Sequence, residues 1–123
     1  MSDKPTRVLL VEDDEICQRA SSLMLEYLGC SVAIAESGEA ALRFLDQPYD
    51  LIVMDLGLPD VDGFRLVERI RKEKPQNVNT PIVSQTANLT DLYQSKAKKC
   101  GIKALYRKPV SSDQFREILE RYT

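Results

Sequence analysis

The chain has 123 residues, 43% of them hydrophobic and 29% charged, with a formal net charge of −2. That length suits one globular domain spanning residues 1–123, with a core that needs neither disulfides nor a structural metal. No basic block argues for nucleic acid or an anionic membrane, no apolar run is long enough to span a bilayer, and the opening MSDKPTR lacks a signal core.

Taken in chain order, the elements alternate between two periodicities. Residues 8–11 (VLLV) form the short apolar run expected of a strand buried on both faces. Ile16, Ala20, Leu23, Met24, Tyr27 and Leu28 recur at the spacing of an amphipathic helix, and Gly29 is placed to cap it. Residues 32–35 predict a second strand. Ser37 can cap a helix through Ala41, Leu42 and Leu45 that Pro48 ends. Residues 51–54 (LIVM) are the most uniformly apolar strand, and a loop over 56–63 with Gly57, Pro59 and Gly63 follows. A helix from about Phe64 to Lys74 stops at Pro75. Residues 81–85 predict a strand opening on proline, 89–100 a helix before Gly101, and 102–106 the fifth strand. The last helix opens on a capping-box pattern, Ser111-x-x-Gln114, and carries an apolar stripe of Phe115, Ile118, Leu119 and Tyr122. Five strands alternating with five helices imply right-handed βαβ units and one parallel sheet covered on both faces. In such α/β sheets ligands bind beyond the carboxyl ends of the strands.

The residues at those ends are chemically distinctive. Strand one runs into Glu12-Asp13-Asp14, strand three into Asp55, strand four into Thr86-Ala87 and strand five into Arg107-Lys108-Pro109. Histidine is absent, which excludes Ser-His-Asp and Cys-His catalysis and a histidine-ligated zinc site. Cys17, Cys30 and Cys100 are odd in number and form no CxxC, as in a reduced, cytosolic protein. Clustered carboxylates raise one another's pKa unless a cation sits among them, and an all-oxygen donor set suits Mg²⁺ or Mn²⁺. Asp55 can act as a carboxylate nucleophile toward phosphorus, with Lys108 and the Thr86 hydroxyl balancing charge on the phosphoryl oxygens. Taken singly, Asp13 or Asp14 reads as a helix N-cap, Asp55 as a strand terminus, Thr86 as a strand hydroxyl and Lys108 as a solvated charge. Four strand ends carrying complementary chemistry to one rim outweigh those separate readings.

Four segments, VLLVEDD, DLIVMDLGLPDVDG, PIVSQTA and ALYRKP, resemble in order and spacing the signatures of response-regulator receiver domains. The resemblance covers residues 7–122. It implies a flavodoxin-like doubly wound sheet of order 2-1-3-4-5 and phosphoryl transfer from a phosphohistidine onto Asp55. It also implies a metal, Mg²⁺ or Mn²⁺, on Glu12, Asp13, Asp55 and the Gly57 carbonyl. Lys108 matches the family's ion-pair lysine, Thr86 its switch hydroxyl, and Pro109 a proline often preceded by a cis peptide. Asn88 and Leu105 fall at modulating positions. The family often has an aromatic where Leu105 stands, and neighbouring Tyr106 must face the opposite side of the strand. The implied output is therefore a muted switch on the face of the fourth helix, fifth strand and fifth helix, or a phosphorelay step without one.

The resemblance further implies a histidine kinase or histidine phosphotransfer protein as partner, with no direct contact to nucleic acid or membrane and room for a weak dimer. The domain would be cytoplasmic, promote its own phosphorylation and dephosphorylation, and be either a free-standing regulator or part of a hybrid histidine kinase, anchored or not. Three other readings compete. A degenerate interaction module would lack one of Glu12, Asp13, Asp55, Thr86 or Lys108. A flavin or nucleotide domain would need a Gly-rich or Ser/Thr-rich loop where Glu12-Asp13-Asp14-Glu15 stands. An aspartyl phosphatase would need a further acid/base and a cap.

Overall fold

A computed structural model of the chain describes residues 4–123. Strands β1 (Thr6–Val11), β2 (Cys30–Ala35), β3 (Leu51–Asp55), β4 (Ile82–Thr86) and β5 (Ala104–Arg107) form one sheet of order β2-β1-β3-β4-β5. Every pairing is parallel. Helices α1 (Glu15–Tyr27), α2 (Gly38–Phe44), α3 (Gly63–Glu73), α4 (Asp91–Cys100) and α5 (Ser112–Tyr122) connect and cover the strands. This is the flavodoxin-like doubly wound fold anticipated from the sequence.

The period of two along each strand divides the core into two layers. Leu9, Val11, Ile52, Met54 and Ile82 pack with Leu45 at the end of α2 and with Leu66, Ile70 and Ala97 of α3 and α4. Val8, Leu10, Val53 and Val83 pack on the other side with Leu25 of α1 and with Phe115 and Ile118 of α5. Each fully buried Leu, Ile or Phe contributes about 1.5–3 kcal/mol. Buried Asn77 clamps the far edge of this core. Its amide donates to the Leu45 and Gln47 carbonyls (2.8 and 2.9 Å) and accepts from Tyr49 N–H and the Thr80 hydroxyl (both 3.0 Å).

Several boundaries differ from the sequence reading. β1 and β2 begin earlier because their ladder already pairs Thr6 with Cys30. Ile102 stands outside β5; its N–H bonds back to the Ala97 carbonyl at the end of α4, whose cap Gly101 has φ 88°. A short 3-10 turn, Pro75–Asn77, follows α3.

The larger correction concerns α1. Ile16, Ala20, Leu23 and Tyr27 of the expected apolar face are turned to solvent, with Ile16 80% and Tyr27 87% exposed. Ser21 and Leu25 are the buried residues, with Met24 and Leu28 packed partly beside them. The helix carries two neighbouring apolar seams, and a layer can cover only one such stripe. β2 and α5 cover the seam of Ser21, Leu25 and Leu28.

Candidate functional site

The site is set by where the strands stop. β1 hands the chain to Glu12, whose N–H still bonds the Ala35 carbonyl at 2.9 Å, so the last ladder contact holds this acid beneath the rim. Its side chain is fully buried. An unpaired buried carboxylate is costly, and Glu12 is paired on every side. Oε1 accepts from the Lys108 ammonium at 2.8 Å and the Gln85 amide at 3.2 Å, while Oε2 accepts from Asp14 N–H at 3.2 Å. Gln18 fixes the Glu12 backbone by donating to its carbonyl at 2.7 Å. Asp13 follows, exposed at the rim. Asp14 turns away from the cluster and caps α1, accepting from Cys17 N–H at 2.9 Å.

Asp55 ends β3, a strand buried along its whole length. Its two carboxylate oxygens have separate partners. Oδ1 accepts from Gly57 N–H at 2.9 Å and Oδ2 from Lys108 Nζ at 2.8 Å. The loop after Asp55 is pinned at both ends. Leu56 N–H bonds the Gln85 carbonyl, and a side chain at Gly63 would come within 2.7 Å of the Leu56 backbone, so only glycine lets α3 begin this close. Asp60, midway along, accepts from Gly38 and Glu39 N–H (2.9 and 3.1 Å) and so caps α2 from across the rim.

Lys108 reaches both acids from the end of β5. Its N–H bonds the Thr86 carbonyl at 2.9 Å, and the peptide bond to Pro109 is cis. Thr86 closes β4, buried, and its hydroxyl oxygen accepts from Asn88 N–H at 3.1 Å. Leu105 points into the layer of α3 and α4 while Tyr106 packs in the other layer, opposite faces of one strand. Tyr122 is half-buried against the sheet, its hydroxyl donating to the Lys103 carbonyl, so it packs the last helix.

Electrostatics follow from this crowding. Burial pushes the Glu12 carboxyl up to about 7, against the opposing pull of Lys108 and the Asp14 N–H, and the Asp55 carboxylate adds to the rise. For Lys108, burial acts to lower the pKa, but the bonds to Asp55 and Glu12 outweigh it and hold the ammonium charged. Ligand oxygens of Glu12, Asp13 and Asp55 lie within 4.8 Å of one another. Lys108 pairs with two of these three carboxylates and, among the described residues, leaves Asp13 without an ion pair, and this oxygen-only donor set fits a hard divalent cation.

The structure therefore brings together Glu12, Asp13, Asp55, Gly57 and Lys108, with Thr86 at the end of β4 and Asn88 on the loop that follows it. The sequence reading missed Gln85 and Gln18, the amides that orient Glu12. Gln85 had a signal, being a large amide inside a strand buried along its whole length; Gln18 had none, because one polar residue on an amphipathic helix is ordinary.

A family model described as the response regulator receiver domain matches residues 8–120. The chain is 33% identical over 123 residues to the transcription factor SKN7 of Chaetomium thermophilum, covering 98% of this chain and 16% of that protein. It is likewise 33% identical to hybrid signal transduction histidine kinase L of Dictyostelium discoideum, covering 94% of this chain and 7% of that one. The chain thus spans a small part of the length of these relatives. Among solved structures, the receiver domain of the sensor histidine kinase PA1611 from Pseudomonas aeruginosa PAO1, determined with a magnesium ion coordinated in its active site cleft, superposes with a TM-score of 0.87. That match has 31% identity and covers 97% of this chain and 98% of that one.

Proposed function

The chain belongs to the response regulator receiver domain family, and from that premise we propose that Asp55 accepts a phosphoryl group from a phosphohistidine. The observation that carries this reading is the placement of Asp55 Oδ2 on an ammonium that Glu12 also holds. An Asp55 oxygen forms the bond to phosphorus as the P–N bond to the donor imidazole breaks, and the imidazole nitrogen keeps the electron pair. Lys108 remains in position through this step because Glu12 Oε1 grips it independently of Asp55. The Thr86 hydroxyl has a hydrogen to give to a phosphoryl oxygen. Turning toward it would release Asn88 N–H and loosen the loop ahead of α4. Leu105 supplies no aromatic ring to follow that movement, which supports a small conformational output or a relay role.

Glu12, Asp13, Asp55 and the Gly57 carbonyl would hold Mg²⁺ or Mn²⁺, which when bound offsets negative charge on the phosphoryl oxygens. The PA1611 receiver with its magnesium ion supports that assignment. The donor would be a histidine kinase or histidine phosphotransfer protein, as in two-component signalling. The exposed seam of Ile16, Ala20 and Leu23 lies on the helix that directly follows the acidic segment Glu12-Asp13-Asp14 and would offer this donor an apolar surface. No helix among the described residues is long and apolar enough to cross a membrane.

With acetyl phosphate and Mg²⁺, intact mass spectrometry should show one added phosphoryl group on the wild type and none on Asp55→Asn. Equal labelling of the variant would refute the assignment. Asp13→Ala should weaken Mg²⁺ binding at least roughly tenfold in a titration, since Mg²⁺ sites rest on one or two carboxylates. Unchanged affinity would move the metal elsewhere on the rim.

A further inference from the structure

Between α3 and α4 runs an open groove of about 790 Å³ that takes no part in the chemistry above. It is lined by Arg65, Arg71 and Lys72 of α3 and by Lys96 and Lys99 of α4, against two acids, Asp62 and Glu68. On α3 the cations recur at helical spacing, as do the two on α4, so each helix turns a basic face to the other. Among the described residues none of these five cations lies in an ion pair. The side of α3 toward α2 is different. There Arg69 pairs with Glu73 and Glu39 (2.9 and 3.3 Å), and Lys74 pairs with Asp46 at 2.7 Å.

Arg71 marks the floor of the groove. Half-buried, it donates from Nη1 to the Asn77 carbonyl at 2.7 Å, a neutral partner that anchors the guanidinium without balancing its charge. Burial lowers its pKa, the direction expected of a cation with no carboxylate beside it. A net positive groove on a chain of net charge −2 is a local field that an incoming anion would complete.

We propose that this groove binds an acidic segment of a partner protein, whose Asp and Glu side chains pair with Arg65, Arg71, Lys72, Lys96 and Lys99. Two features favour a peptide over a nucleotide or nucleic acid. Phe64, the aromatic lining residue, is half-buried and its ring is already engaged by neighbours, which disfavours stacking of a base. Tyr93 meets it edge-on at 5.5 Å, Lys96 Nζ lies 5.5 Å over its ring, and it packs partly on the core. Asp62 and Glu68 interrupt the basic face, which repels a uniform polyanion and admits a peptide whose acids are spaced by other residues.

The test uses the full chain and a fluorescein-labelled peptide in which Asp and Glu alternate with Ser and Gly. Anisotropy should show saturable binding that weakens with added salt. Amide shifts on titration should concentrate at residues 64–72 and 96–100. Lys72→Glu with Lys99→Glu, both exposed, should weaken binding roughly tenfold or more. Arg43→Glu with Lys103→Glu changes net charge equally away from the groove and should weaken it less than about twofold. Acetyl phosphate labelling should stay intact in both double variants, which checks their fold. Failure to saturate, equal weakening by the control pair, shifts centred on the Asp55 rim, or tighter binding of ATP or a single-stranded oligonucleotide would each overturn the proposal.

Discussion

Helices α1 and α5 pack side by side on the same layer of the sheet, yet their apolar stripes have opposite fates. On α5 the stripe visible in the sequence is the face that is used. Phe115 and Ile118 are buried, and Leu119 and Tyr122 pack beside them. On α1 the equally visible stripe of Ile16, Ala20, Leu23 and Tyr27 stays in water. Periodicity thus identifies an apolar face without saying what covers it. The sheet covers the face on α5, and on α1 the proposed function assigns that task to the phosphodonor.

The largest expected effect tests the α5 half of this comparison. Phe115→Ala leaves a cavity in a fully buried site and should cost about 3–5 kcal/mol, read as a lower denaturant midpoint. Ile16→Glu with Leu23→Glu should change stability by no more than about 0.5 kcal/mol per site, the usual range for exposed positions. The same pair should slow phosphotransfer from a phosphohistidine protein roughly tenfold or more, the scale of interface hot spots. Labelling by acetyl phosphate, which needs no docking surface, should be unaffected. Equal loss with both donors would return the α1 stripe to an ordinary surface. A smaller effect compares caps. α5 is capped locally by Ser111 and Gln114, whereas α2 adds to Ser37 a carboxylate, Asp60, reached across the rim. Hydrogen bonds from Gly38 N–H and then Glu39 N–H hold Asp60 below the usual carboxylate range. A depressed pKa stabilises the fold above the unfolded value and is lost as pH falls through the folded one. Asp60→Ala should therefore cost about 1 kcal/mol or less at neutral pH and nothing once both forms are protonated, in urea melts across acid pH. The α5 cap has no ionisable group and should show no such dependence.

Much of the site was legible because its residues sit at strand ends. A strand that must be apolar on both faces leaves its first polar residue as a visible stop, as at Glu12 and Asp55, while Thr86 closes β4 and Lys108 follows β5. Partners contributed from elsewhere were harder to read. Gln18 reaches Glu12 from the first turns of α1, and Asn77, in a stretch that reads as loop, proves to be the buried clamp of the far edge.

The alternation of buried strands and amphipathic helices determined by itself that this chain forms a parallel α/β sheet, because burial on both faces writes itself directly into composition. The motifs at the strand ends likewise gave the acids and the lysine of the rim. Only the tertiary structure decided which of two apolar seams α1 would bury, since both satisfy helical periodicity and the choice lies with the surfaces of β2 and α5. It alone also revealed the basic groove. Its cations are divided between two helices that are distant in sequence and interspersed with acids, and they converge only where α3 and α4 pack together.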